Sequence, residues 1–529
     1  MNPRKSTNAA DPTPFKHSPS TVALGMLLVA ALTLYLSSAP PGLTWQHDEG
    51  DLAAAAFTGG NPHPHGYPTY MFVARLAIVL QEGNVALRLS RLSAFCGALA
   101  AALVTLFTYR FIVQMQLRQH LTQEKITGTA PVAILASAIL AGLLYATLPI
   151  VWTQAILIEM YALASIFSAL HLLLGAALLQ RIEHDRRIPI RGTIIFGILI
   201  GVGFGAHATT LVAAFAVLVP LVAALLRVHL RDLIRFMVLL VGGALLGLLV
   251  FAVLPLSANR SVTSNWGDAS TWEGFLWMVS AAAYRNQIVW RFSLEKWAFL
   301  ISWIATQFSL PVLLIAIYGF WAIWDRRRAV AIGIATAFLL NCQFLTMYDV
   351  TNVFAYLLPA LMLLAICFAV AISAWVARLG WSVPLAVLCW CMLLVAHNSP
   401  QVSLKDDHAA QAYIDQAMNV VPAGAFIFSG TDRTTFALWY AQAVQSPEKR
   451  LMVIEARMLY LDWYRNTLAR FNPNVASDWW ALPLTDLIDR LVERGIPVYC
   501  TFDPARYGIS ARAAGSLYIV LDVVPMQKP

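Results

Sequence analysis

Long apolar runs, divided by short clusters of arginine and lysine, constrain this chain more than any other feature. A bilayer's hydrocarbon core is about 30 Å thick, and a helix needs about 20 apolar residues to cross it. Runs of this kind lie near 21–39, 89–112, 131–151, 155–180, 193–208, 210–227, 236–256, 297–323, 329–347, 353–377 and 381–398. Lipid offers no partner to a backbone N–H or C=O, so such runs must be helical. The chain is 59% hydrophobic and only 12% charged, against about 25% charged in a soluble domain. The expected fold is therefore a polytopic α-helical membrane protein of about eleven transmembrane helices.

The net charge of +8 raises nucleic acid as a partner. The cations instead sit between the apolar runs, as the positive-inside bias places them, so no nucleic acid is expected. With the N-terminus inside, one face collects Arg4 and Lys5, then Arg110, Arg118 and Lys125. It also collects Arg181 to Arg191, Arg227 to Arg235, Arg326 to Arg328, and Arg378. The opposite face collects acids: Asp48, Glu49 and Asp51, then Glu159, Asp268, Glu273 and Asp349. The stretch 66–80 is short for a span and contains Arg75, so it is read as a helix lying along the outer interface.

Three regions follow. Residues 1–20 are a polar, disordered cytoplasmic N-terminus, and 21–398 form the membrane domain. Residues 399–529 form an extracytoplasmic α/β domain, because "GAFIFSG", "RLMVIEA", "PVYCTF" and "LYIVLDVV" read as strands with helical stretches between them. Six cysteines without CxxC spacing argue against disulfides and structural zinc. The alanine- and leucine-rich, basic, cysteine-poor character points to a bacterial inner membrane, with the acidic face in the periplasm.

The densest ionisable cluster, "HDEGDLAAAAFTGGNPHPHGYP" (residues 47–68), lies directly against the edge of the first span. Its acids could simply sit in water. A carboxylate in a partly apolar setting could instead act as a general base, since desolvation moves its pKa toward working pH. Glu159, at a tight hairpin, is either an interfacial residue or a functional acid. His207 in "GVGFGAHATTL" fits packing as well as chemistry. The long outer loop carries Arg260, Arg285, Arg291 and Lys296, which break the positive-inside trend. They suit lipid headgroups or an anionic substrate. Its tryptophans occupy an aromatic-belt position. Tyr348 and Asp349 end one span, and Asp432 follows a strand, where it suits a ligand site or a helix cap. No P-loop, GxSxG or HExxH occurs.

These motifs resemble the family called domain of unknown function 2723, whose relatives include eukaryotic transmembrane protein O-mannosyltransferases. The family's Asp-x-Gly-Glu resembles Asp48-Glu49-Gly50-Asp51, and its His-Pro-Pro-Gly-x-Pro resembles His63-Pro64-His65-Gly66-Tyr67-Pro68. Its Arg-x-Asn resembles Arg88-Leu89-Ser90, with Arg91 beside it. Asp51, His65 and Ser90 depart from the pattern. The resemblance continues through "EMYAL" at Glu159, "GAH" at His207, "NWGD" from Asn265 through Trp266 to Asp268, "YDVTNVFAYLLP" from Tyr348 and Asp349, and "SGTDRTTFALWYAQ". It spans residues 40 to 470.

The resemblance implies a glycosyltransferase of GT-C architecture that takes a sugar from a polyprenyl-phosphate carrier. A base at the membrane edge would meet a donor whose tail stays in the bilayer. On that reading Asp48 is the inverting general base, with Asp51 and Glu159 beside it. His63, His65, Tyr67, Arg88, Arg91, His207, Arg260, Asn265, Trp266, Asp268, Tyr348 and Asp349 would bind substrate, with Arg260 first at the leaving phosphate. The acceptor is a protein, glycan or lipid. No metal ligand set is assigned; a divalent ion among the acids stays open, since no spacing demands one. The alternatives are a polyprenyl-lipid or solute transporter and a non-catalytic assembly subunit.

Overall fold

The computed structural model describes residues 21–46, 48–120, 130–261, 263–350, 353–507 and 509–521. The expected N-terminal tail, Lys125, part of "YDVTNVF" and the end of the last expected strand lie outside them.

Each of the eleven apolar runs is helical. The first is α1 (Thr21–Ser38), and the loop after it carries α2 (Glu49–Thr58) and α3 (Pro68–Leu80). Then come α4 (Val85–His120), α5 (Ala130–Thr147), α6 (Pro149–Ile156), α7 (Tyr161–Asp185), α8 (Ile190–Ala206), α9 (Thr210–Leu226) and α10 (Leu230–Leu248). Helix α10 runs on into α11 (Val253–Ser257) as one apolar span, and the long outer loop after it holds α12 (Trp272–Val279). It is followed by α13 (Leu294–Phe308), α14 (Leu310–Arg326), α15 (Arg328–Met347), α16 (Leu358–Leu379) and α17 (Ser382–Val402). Among the described residues, seven helices are individually long and apolar enough to cross a membrane. The chain is a multi-pass membrane protein.

Two expected spans are broken. The run 131–151 divides at Leu148 into α5 and α6, bent by 66°, and the run 297–323 divides at Ser309 into α13 and α14, bent by 101°. Proline opens each second helix, at Pro149 and within the first two positions of α14, where its missing N–H costs nothing but a preceding helix cannot run through. A 101° turn excludes one straight crossing, so the single span read at 297–323 is corrected to two helices.

Packing follows lipid logic. On α10, Ile234, Val238, Val241 and Leu245 are exposed while Phe236, Leu240, Gly243 and Gly247 are buried. Its apolar face points outward and its small residues inward. A Cβ at Gly197 or Gly201 of α8 would stand 2.3 Å from the Leu240 or Ala244 carbonyl oxygen of α10. Paired Gly-x-x-x-Gly elements thus bring the two backbones together. Helix α16 is buried over most of its length and forms the centre of the bundle. Helix α3 exposes Phe72, Leu76 and Val79 on one face and buries Met71, Ala74 and Ile78 on the other, as suits a helix at an interface.

The C-terminal region contains α18 (Ala409–Val420), α19 (Asp432–Tyr440), α20 (Asp462–Phe471) and α21 (Leu484–Glu493). Its sheet joins β1 (Phe426–Ser429), β2 (Met452–Glu455), β3 (Val498–Cys500), β4 (Ala511–Ala514) and β5 (Leu517–Val520) in the order β2-β1-β3-β5-β4. The first three strands are parallel, and β5 and β4 add antiparallel. Thr431, rather than Asp432, caps α19, its hydroxyl accepting the Thr434 N–H. Asp432 instead pairs with Arg457.

Candidate active site

The alanine run after Asp48 favours a helix, and acids in its first turn complement the positive end of the helix dipole. Helix α2 therefore starts at the acidic cluster and ends at Gly59, whose φ of 77° gives the left-handed cap. Helical spacing sorts the three acids. Asp48 and Asp51 are three residues apart and share a face, while Glu49 is turned away. Both oxygens of Glu49 are used structurally. One accepts from the Thr44 N–H at 2.8 Å and the Thr44 hydroxyl at 2.7 Å, and the other from the Ile158 N–H at 2.8 Å. Burial still pushes its pKa up to about 7 against these bonds.

Asp48 and Asp51 converge on His63. Fully buried Asp51 accepts the His63 backbone N–H at 2.9 Å, His63 Nδ1 at 2.8 Å and the Trp266 indole N–H at 3.1 Å. His63 Nε2 lies 3.4 Å from Asp48 Oδ2 and 3.1 Å from the Tyr67 hydroxyl. That hydroxyl donates to the Pro64 carbonyl at 3.1 Å, so its oxygen is left to accept from Nε2. Both ring nitrogens then donate, which requires an imidazolium. Burial opposes that charge, but Asp48 and Asp51 outweigh it and raise the pKa to about 9.

Asp48 is the accessible member, its side chain 43% exposed. Its backbone N–H donates to the carboxyl of Glu159, which lies between α6 and α7. Burial, followed by the Asp48 charge, raises the Glu159 pKa well above the usual range. Glu159 is therefore held as a neutral acid.

A cavity of about 380 Å³ adjoins this cluster. From the loop end, where His65, Tyr67, His207, Tyr348 and Arg285 stand, it runs down α9 along Leu211 and Phe215 and along α15 by Phe344 and Leu340. Seven residues of helix take it about 10 Å toward bilayer depth. His207 Nδ1 accepts the Thr209 N–H at 3.2 Å, leaving Nε2 protonated. Burial, then His65 and His63, hold His207 neutral, and burial lowers His65 to about 4. One face of the site thus holds a cationic histidine, and the cavity wall holds two neutral ones.

Other expected site residues lie elsewhere. Arg88 and Arg91 donate to the carbonyls of Gly83 and Glu82, closing the α3–α4 turn. Arg260 lies at the far end of α2, against Gly59. Asp349 is exposed and pairs with Lys296 at 3.0 Å. Asp268 accepts Arg470 at 3.0 Å and Asn265 donates to Thr467 at 3.2 Å, so both tie the outer loop to α20. Trp266 packs against Trp439 and Trp463 and reaches the cluster through Asp51 and edge-on against the His63 ring. Arg285, named among the outer-loop cations, lines the cavity, and so do Tyr284 and Tyr356, which were not singled out. The break in the positive-inside trend at Arg285 was the available signal. Asp51 and Glu49 each already accept three hydrogen bonds, and among the described residues no three His, Cys, Asp or Glu side chains converge as a metal site.

The charge state of His63 has a measurable consequence. A pKa raised from 6.5 to about 9 on folding adds stability that is complete below pH 6.5 and lost as pH rises through 9. The full shift is worth about 3 kcal/mol as an upper bound. Thermal unfolding of the detergent-purified chain is expected to fall between pH 6.5 and 9.5 more steeply than that of His63→Gln. Parallel curves would remove the charged assignment.

Residues 48–228 match the family model described as the protein O-mannosyl-transferase TMEM260 N-terminal domain. That description takes the place of the unknown-function family named from the motifs. The mouse protein O-mannosyl-transferase TMEM260 is 26% identical over 258 residues, 48% of this chain and 33% of that protein. The match thus spans about a third of the relative's length. ArnT from Cupriavidus metallidurans, in its crystal structure with undecaprenyl phosphate, aligns with a TM-score of 0.59 at 13% identity, covering 96% of this chain and 100% of ArnT. The apo structure aligns at 0.51 and 14% identity, covering 95% and 98%. The chain therefore has the ArnT fold, the GT-C architecture expected from its motifs, and over residues 48–228 it is similar to the N-terminal domain of TMEM260.

Proposed function

We propose that this chain is a membrane glycosyltransferase that moves a sugar from a polyprenyl-phosphate carrier to an acceptor hydroxyl, with inversion at the anomeric carbon. The observation that carries the reading is the placement of Asp48. It is a half-exposed carboxylate 3.4 Å from His63, and Tyr67, which also meets His63, lines the polar end of a cavity that descends along two apolar helices. A donor whose phosphosugar sits at the interface and whose tail lies in lipid has that shape. Undecaprenyl phosphate on ArnT and O-mannosyl transfer by TMEM260 support the same class.

In this mechanism Asp48 takes the acceptor's hydroxyl proton as that oxygen bonds to the anomeric carbon from the face opposite phosphate. The anomeric carbon–phosphate oxygen bond breaks, and its electron pair leaves on the phosphate. Arg285 and the His207 Nε2–H, both at the cavity wall, meet the developing charge. His63 stands 3.4 Å from Asp48 as its counter-charge, Asp51 and Trp266 fix His63, and neutral Glu159 adds no further negative charge. The site lies on the face opposite the arginine clusters, the periplasmic side of an inner membrane.

The test is transfer by the purified full chain in liposomes, offered radiolabelled polyprenyl-phosphate sugars or nucleotide sugars with a hydroxyl acceptor extract. Consumption of the lipid-linked donor with release of polyprenyl phosphate is expected. Use of nucleotide sugars alone would overturn the donor class. Transbilayer movement of intact donor without transfer would favour a transporter.

A further inference from the structure

We propose that Arg75 and Arg260 form a binding site for the phosphate of an anionic phospholipid headgroup, separate from the cavity beside His207. Both guanidinium groups meet the turn that ends α2. Arg75, half-buried on α3, donates through Nη2 to the Gly60 carbonyl at 2.8 Å. Arg260 Nη1 stands 3.3 Å from where a Gly59 Cβ would project, so that glycine leaves room for it. This turn is about 15 Å along α2 from Asp48, which separates the pair from the proposed chemistry.

Three features call for an anion there. Among the described residues, no carboxylate pairs with either arginine. Burial and then the Arg260 charge both disfavour the charged form of Arg75, so the two cations repel each other unrelieved. The Arg75 Nε–H is also buried without an acceptor, a deficit that a phosphate oxygen would fill while neutralising both groups. The surroundings favour a lipid source over a soluble one. Phe72, Leu76 and Val79 on α3 and Leu256, four residues before Arg260, all expose apolar surface. Acyl chains would cover that surface, and a free ion would not.

The test uses the full-length chain in neutral detergent, with short-chain phosphatidylglycerol titrated against the thermal unfolding midpoint. Inorganic phosphate is titrated in a parallel arm. For Arg260→Gln the affinity for phosphatidylglycerol is expected to fall about tenfold, the worth of one charge-assisted contact. Its midpoint without lipid should equal or exceed wild type, because a like-charge contact is removed and no hydrogen bond is lost. Arg75→Lys, which keeps the charge and the fold but not the planar fork, should lose part of the affinity. Unchanged binding by Arg260→Gln would overturn the site. Inorganic phosphate binding as tightly as the lipid, with the same loss in Arg260→Gln, would overturn the lipid assignment.

Discussion

Asp48→Asn is expected to lower sugar transfer by about 10²- to 10⁴-fold, the usual worth of general-base help, while leaving membrane-inserted protein at wild-type levels. The substitution keeps size and shape. The carboxylate is 43% exposed, so an amide there meets water and little is lost in folding. His63 keeps its 2.8 Å partner in Asp51. Asp51→Asn should behave in the opposite way. Asp51 is fully buried and accepts three N–H donors, so removing its charge leaves a buried imidazolium short of a counter-charge. Breaking such a pair costs about 3–5 kcal/mol, and the thermal midpoint should drop. Labelled product and thermal unfolding, measured on both variants, separate the roles. If Asp48→Asn transfers at the wild-type rate, Asp48 is not the base.

Much of this arrangement was legible in the residues. Long apolar runs admit one secondary structure in lipid, and the basic clusters between them carry the expected orientation. The spacing of Asp48 and Asp51 puts both on one face of any helix beginning there. The segment 61–68 folds back along α2 to bring His63 to that face, which local sequence does not reveal. Long-range choices were least visible. Arg260 and Arg285 are equivalent in composition, and only the path of the outer loop brings Arg285 to the cavity and Arg260 to Gly59. Asn265, Trp266 and Asp268 resembled substrate contacts because they are polar and lie in a motif. Their side chains donate to or accept from Thr467, Asp51 and Arg470, contacts that only the folded outer loop brings together. Strand β4 (Ala511–Ala514) reads "ARAA" and has no β-branched residue, so only its pairing with β5 makes it a strand. Pro149 and Pro311 stand at the two helix breaks, but the reading of single runs at 131–151 and 297–323 passes over them. Hydropathy alone, averaged over a window, runs across them.

Gly50→Val is expected to reduce transfer at least 10²-fold although residue 50 touches no proposed substrate. A Cβ at Gly50 would stand 2.2 Å from the Phe436 carbonyl oxygen and 2.4 Å from its carbonyl carbon, so α2 and α19 lie backbone to backbone. Neither backbone can yield as a flexible side chain can, and the C-terminal region must shift away. The shift travels through named contacts. Trp439, on α19, packs edge-on against Trp266 at 6.2 Å, and the Trp266 indole holds Asp51. Asp51 holds His63, which faces Asp48. A displacement of about 1 Å in a catalytic group is enough for a hundredfold loss. The membrane bundle should survive, because its helices pack without α19. Gly25→Ala in α1 is the control, since nothing stands within 4 Å of its added methyl. Transfer assays with limited proteolysis of the C-terminal region would read both consequences, lost activity and a loosened tail. Wild-type transfer by Gly50→Val would mean that the contact between α2 and α19 does not set the geometry of Asp48.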